Sequence, residues 1–148
     1  MKRFLFLFIV PALLLVACDS APAATSEADA SVFYNDTHLD EQGTVSVAVT
    51  PLAGSDEMLE FDVSMNTHSV ELSMDLAALA TLSNDRGQTV TPTGWDAPQS
   101  GHHVAGKLTF PASVNGASLL DGAKQVTLII RDVGVPERVF VWTLVEGS

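Results

Sequence analysis

Hydrophobic and polar residues alternate along two segments in the first half of the chain. The apolar positions are Val45, Val47 and Val49 in the first segment, and Leu59, Phe61, Val63 and Met65 in the second. A period of two is typical of a β-strand that buries one face. The alternation changes phase near residues 67–69, which predicts a bulge or corner at His68.

Further strands are predicted beyond this phase change. A third alternating segment contains Val70, Leu72, Met74 and Leu76. Asp75 is placed to cap a single helical turn over residues 75–79. We expect strands at 80–82, 102–110, 125–131 and 138–145, a turn at 84–87 and a loop over 91–101.

About seven short strands separated by turns are typical of β-sandwiches and barrels. The chain is therefore predicted to be all-β, an antiparallel immunoglobulin-like β-sandwich. It has one cysteine, so it lacks the paired cysteines of true immunoglobulin domains. The prediction concerns the architecture alone.

The N-terminus has a different pattern. Lys2 and Arg3 precede an apolar run from Phe4 to Ala17, and small residues lead up to Cys18. A basic start, a short apolar stretch and small residues before a cleavage site characterise a secretory signal. A membrane-spanning helix needs roughly 20 apolar residues, so this run favours export over a retained span.

The segment Leu15-Val16-Ala17-Cys18 resembles the bacterial lipobox. In that class of proteins the cysteine becomes the N-terminal residue and carries a diacylglyceryl thioether, usually with an amide-linked acyl chain such as palmitate. Several acyl chains anchor a protein stably to a membrane. The resemblance implies an extracytoplasmic lipoprotein attached to the membrane through Cys18. The alternative is an ordinary secretory signal with a chance cysteine. The resemblance is compatible with attachment to the inner or to the outer membrane.

The chain divides into three predicted parts. Residues 19–31 contain no large apolar side chain, so they cannot bury enough surface to fold and are expected to form a flexible tether. We therefore expect a signal peptide at 1–17, a lipidated cysteine and tether at 18–31, and a β-sandwich domain at 32–148.

The charge balance restricts the possible partners. Seven lysines and arginines stand against 18 aspartates and glutamates, for a formal net charge of −11. A polyanion is repelled by nucleic acid, which is therefore not expected as a partner. Metal ions and basic proteins are more compatible, although the charge also serves solubility. If Cys18 is acylated, no thiol remains for a disulfide or a thiolate ligand.

Imidazole is the commonest protein ligand for metals, and the chain has four histidines, which are His38, His68, His102 and His103. Neighbouring residues in a strand face opposite sides. We therefore expect His102 on the core side with Val104, and His103 on the solvent side with Lys107. The two adjacent histidines are then badly placed to share one ion.

One of these two histidines can instead join His68 and a carboxylate such as Asp75 or Asp96. Imidazole ligands suit copper and zinc. The candidate metal ligands are thus His68 and His102, with His103 as a substitute. The alternative is a structural role, in which the histidines donate hydrogen bonds to backbone carbonyls.

Residues 101–110 have the form G-H-x-x-x-G-x-x-x-F. This motif resembles a strand motif of the periplasmic copper-resistance β-sandwich proteins. The resemblance implies that His102 helps to bind Cu(II). That family has a further aspartate ligand where this chain has Ser100, and its free N-terminal histidine ligand has no counterpart if Cys18 is acylated.

Motifs of common enzyme classes are absent from the sequence. The chain has no G-x-S-x-G elbow, no H-E-x-x-H segment and no phosphate-binding glycine loop, so we expect no enzyme.

Trp95 and Asp96 form a possible contact for a ligand or partner, although Trp95 can equally plug the edge of the sandwich. Arg131 and Arg138 are expected to pair with nearby acids and to contribute little stability.

The sequence supports two functional hypotheses. The first is a lipid-anchored binding protein of the cell envelope that binds copper or zinc through histidines. The second is a non-catalytic structural or interaction lipoprotein that binds no metal and holds an envelope protein with a sheet face or the Trp95 loop.

Overall fold

The computed structural model describes residues 32–33 and 36–145. The predicted signal peptide, Cys18 and the tether lie outside the described residues. The described part contains twelve strands and one short helix, α1 (Leu76–Leu79). The strands are β1 (Val32–Phe33), β2 (His38–Asp40), β3 (Val45–Pro51), β4 (Met58–Thr67), β5 (Ala80–Asn84), β6 (Thr89–Val90), β7 (Gly94–Asp96), β8 (His103–Pro111), β9 (Ser113–Val114), β10 (Ala117–Ser118), β11 (Gln125–Arg131) and β12 (Glu137–Val145). Within these residues no helix is long and apolar enough to cross a bilayer.

Two five-stranded sheets form a sandwich. Their orders are β2-β3-β4-β8-β7 and β1-β12-β11-β5-β6, and β9 pairs with β10 as a separate hairpin. Every strand pair in the described part is antiparallel. The orders β3-β4-β8-β7 and β12-β11-β5 match the A-B-E-D and G-F-C sheets of an immunoglobulin domain. The predicted all-β immunoglobulin-like sandwich is confirmed.

The core lies between the inward faces of the long strands. Every second residue of β3, β4, β11 and β12 is buried, as their alternation predicts. Phe61 in β4 packs edge-on against Phe110 in β8, with ring centroids 5.7 Å apart. Its ring also lies 5.4 Å from that of Trp142 in β12. Phe61 therefore contacts aromatic rings from both sheets.

The segment 70–76 crosses between the sheets and forms no strand, so the strand expected there is wrong. Leu72 and Leu76 are buried, whereas Val70 is exposed. The two buried leucines are four residues apart, whereas a half-buried strand would bury every second residue. They anchor an irregular crossover. The predicted cap is confirmed, since the Asp75 carboxylate accepts a hydrogen bond from the Ala77 N–H at 3.0 Å.

Arg138 at the start of β12 is completely buried. Its Nε donates to the Val133 carbonyl at 3.0 Å, and Nη2 donates to the carbonyls of Gln42 and Val45 at 2.8 and 2.7 Å. Nη1 donates to the carboxylate and carbonyl of Asp40 at 2.6 and 3.2 Å. Burial lowers the pKa of Arg138, and the Asp40 carboxylate opposes this shift. The expected surface pairing of Arg138 is therefore wrong.

The side chains of β2 cover one edge of the sandwich opposite β12. The His38 ring lies 4.9 Å from the Trp142 ring, and the indole N–H of Trp142 donates to the Asp36 carbonyl at 3.0 Å. The bond between Arg138 and Asp40 lies along the same edge. A groove of about 340 Å³ remains there between residues 38–42 and 139–140.

Candidate metal site

The outer face of the first sheet brings two histidines together where β4 ends and β8 begins. His103 is the first residue of β8 and is the register partner of Asn66 in β4. His68 follows directly after Thr67, the last residue of β4. The change of phase predicted near His68 thus coincides with the point where the chain leaves the sheet.

The backbone before His68 is held firmly. Thr67 is buried, and its hydroxyl donates to the Thr44 carbonyl at 2.8 Å. Its N–H donates to the His102 carbonyl at 2.9 Å, which ties the end of β4 to the segment before β8. The position of His68 relative to His103 is therefore set by strand register and by these two bonds.

The rings of His68 and His103 are close to the spacing that a shared metal ion requires. Their centroids lie 6.2 Å apart and their planes are at 82°. Two imidazoles that each place a nitrogen about 2 Å from one ion have centroids about 5–6 Å apart. Both side chains are exposed, so an ion can reach the two rings from solvent.

His102 is placed differently from the prediction. It is exposed and precedes β8, so its expected position on the core side is wrong. The alternation stops at Gly101, where φ is +135° and the carbonyl accepts a hydrogen bond from the Leu72 N–H. The His102 ring makes no hydrogen bond, ion pair or ring contact with other described residues.

A third protein ligand does not join the pair. Within residues 32–33 and 36–145, no group of three or more histidine, cysteine, aspartate or glutamate side chains is arranged to hold a metal ion. Asp75 caps α1, and Asp96 is the register partner of Lys107 between β7 and β8. An ion at His68 and His103 would therefore keep open positions for water.

The same sheet face carries carboxylates. Asp62 and Asp96 are the register partners of Lys107 on either side, and the Lys107 ammonium lies 3.1 Å from the Glu60 carboxylate. Glu60 thus pairs with the ammonium group, while Asp62 and Asp96 flank Lys107 in register on the same face. Such a surface attracts cations to the sheet that bears the two histidines.

Two residues of the G-H-x-x-x-G-x-x-x-F motif have packing roles. Phe110 is fully buried in the core. A Cβ at Gly106 would overlap the backbone carbonyl of Asp96, so glycine allows β7 to approach β8 closely. Trp95, in β7 opposite Leu108, is half-buried and packs against the core, while Asp96 is exposed.

Sequence reasoning missed the contribution of Asn66. The Nδ1 atom of the His103 ring lies 2.8 Å from the Asn66 side-chain oxygen. The available signal was its outward position two residues before His68.

Comparisons of the chain with protein-family models, curated proteins and solved structures found no match.

Proposed function

We propose that this chain is a lipid-anchored, non-catalytic binding protein of the cell envelope, and that its domain binds a copper or zinc ion at His68 and His103. The observation that carries the metal proposal is the 6.2 Å approach of two exposed imidazoles on an acidic sheet face. The segment ending at Cys18 supports the lipid anchor.

The available ligands favour an exchangeable metal ion. Imidazole nitrogens suit both copper and zinc, and divalent copper binds such sites more tightly than zinc. Two protein ligands leave positions that water fills, in contrast to a structural zinc site, which is closed by four. Only neutral imidazole binds a metal, so protons compete with the ion for the two ring nitrogens.

Alanine at His68 or at His103 is expected to weaken Cu(II) binding at least tenfold, because each substitution removes one of two nitrogen ligands. The measurement is a calorimetric titration of the mature lipidated protein in detergent with Cu(II) and Zn(II) near neutral pH. His102→Ala is the matched control, since it removes an exposed neighbouring imidazole that lies outside the pair. Its affinity should equal that of the wild type.

Two results of this titration would refute the metal proposal. One is wild-type affinity in the His68→Ala/His103→Ala double variant. The other is an absence of binding by the wild-type protein, which would favour the second candidate function, an interaction lipoprotein. The observation in favour of that candidate is that Leu39 and Val139, beside the groove at the sandwich edge, are 61% and 51% exposed.

Replacing Cys18 by serine is expected to abolish lipid attachment, because serine lacks the thiol that forms the thioether. The measurement is incorporation of labelled palmitate into the protein in growing bacterial cells. An Asp19→Ala variant is the control and should incorporate label as the wild type does. Equal labelling of the serine variant would show that Cys18 is not the attachment point.

A further inference from the structure

The contact between Asn66 and His103 favours one tautomer of the imidazole ring. The Asn66 side-chain oxygen lies 2.8 Å from Nδ1 of His103. An amide oxygen only accepts hydrogen bonds, so the contact is a hydrogen bond when Nδ1 carries the proton and donates it. A neutral imidazole has a single N–H, and the lone pair of His103 is therefore on Nε2.

We infer that Asn66 is a positioning residue, which selects the Nδ1–H tautomer of His103 and presents the Nε2 lone pair to a divalent transition-metal ion. The role toward the metal rests on the proposed function. Histidines that bind metals usually donate their second ring N–H to an oxygen acceptor, which sets the tautomer and the ring orientation. The amide of Asn66 has this arrangement toward His103.

The backbone that carries Asn66 is rigid. Asn66 pairs in register with Ser46 of β3 on one side and His103 of β8 on the other. Its neighbours Met65 and Thr67 are both buried. The amide is thus carried by a central strand of the sheet, and the register places it beside the ring of His103.

The tautomer is measured in the metal-free protein, which separates this inference from the metal proposal. The experiment records ring ¹⁵N chemical shifts of the mature protein, labelled at histidine, in detergent micelles near pH 8. We expect the His103 signals of the wild type to show a protonated Nδ1 and an unprotonated Nε2. In Asn66→Ala, the two ring ¹⁵N shifts of His103 should move toward each other, because fast exchange between the two tautomers averages them.

The same variants are then titrated with Cu(II). Loss of an outer hydrogen-bond partner typically weakens metal binding about 10–100-fold, so Asn66→Ala should bind at least about tenfold more weakly. Asn66→Asp retains an oxygen acceptor and should restore both the tautomer and the binding. Ser64→Ala is the control, because Ser64 lies two residues before Asn66 on the same face of β4. It should change neither the tautomer of His103 nor the affinity for Cu(II).

Each contrary outcome has a separate meaning. A protonated Nε2 in the wild type would overturn the inference about Asn66, whether or not the protein binds metal. Unchanged Cu(II) affinity in Asn66→Ala would overturn its role toward the metal. The expected tautomer without any Cu(II) binding by the wild type would overturn the proposed function, and the positioning role would be lost with it.

Discussion

Replacing Arg138 by methionine is expected to lower the free energy of unfolding by about 3–5 kcal/mol. Methionine fills a similar space but donates no hydrogen bonds. The substitution leaves the Asp40 carboxylate, which is 11% exposed, without its cation. It also leaves the carbonyls of Val133, Gln42 and Val45 without their donor. Urea denaturation of the wild type and the variant measures the loss.

Arg131→Met is the matched control for this prediction. The Arg131 guanidinium lies 3.1 Å from the Glu137 carboxylate, but both side chains are nearly half exposed, at 47% and 46%. Exposed ion pairs contribute about 0–1 kcal/mol, so this variant should be nearly as stable as the wild type. If the two variants lose equal amounts of unfolding free energy, burial does not make Arg138 more important for stability than the exposed Arg131. If Arg138→Met fails to fold, Asp40→Asn tests the ion pair while keeping a neutral acceptor.

Replacing Gly106 by alanine is expected to lower the free energy of unfolding by about 3 kcal/mol, the upper part of the usual range for overpacking. The added Cβ would lie 2.7 Å from the carbonyl carbon of Asp96 and closer still to its oxygen. Backbone atoms cannot rotate away as a side chain can, so β7 must move off β8. This movement would also withdraw Trp95 from the core.

Gly94→Ala is the control, since it places the same methyl group in the neighbouring strand β7, where nothing lies within 4 Å. Its stability should stay within about 0.5 kcal/mol of the wild type. Thermal unfolding and tryptophan fluorescence check both variants. If Gly106→Ala is as stable as Gly94→Ala, then β7 accommodates the methyl group, and the packing role assigned to Gly106 is wrong.

The long strands could be predicted because their alternation directly reports burial. Residues 125–131 were predicted as a strand and form β11 with the same bounds. The alternation at 70–76 misled because two buried leucines anchor a crossover there. Burial shows that a residue is covered, and the backbone conformation depends on where the chain goes next.

The buried state of Arg138 could not be predicted from neighbouring residues. Its main partners lie in residues 40–45, far away in the sequence. A local interpretation therefore assigned it to the acids of the nearby turn. That interpretation suits Arg131, which does pair with Glu137.

The candidate site was predicted in part. His68 was a first ligand candidate and His103 a substitute, and the structure brings these two together. His102 was mistaken for a core-facing residue because a regular strand was assumed through Gly101. Asn66 was overlooked because its contact with His103 spans 37 residues and depends on the register between β4 and β8. No pattern within a single strand contains that register.

The long span bridged by Arg138 has a consequence for the order of folding. Arg138 and Asp40 are 98 residues apart, so their contact closes a loop that includes most of the domain. The entropy cost of such a closure grows with loop length. The contact therefore forms readily only after other contacts have brought the two ends near each other. The edge at β2 and β12 is therefore expected to join late. A chain still emerging from its ribosome is expected to stay open along this edge until its last strand is free.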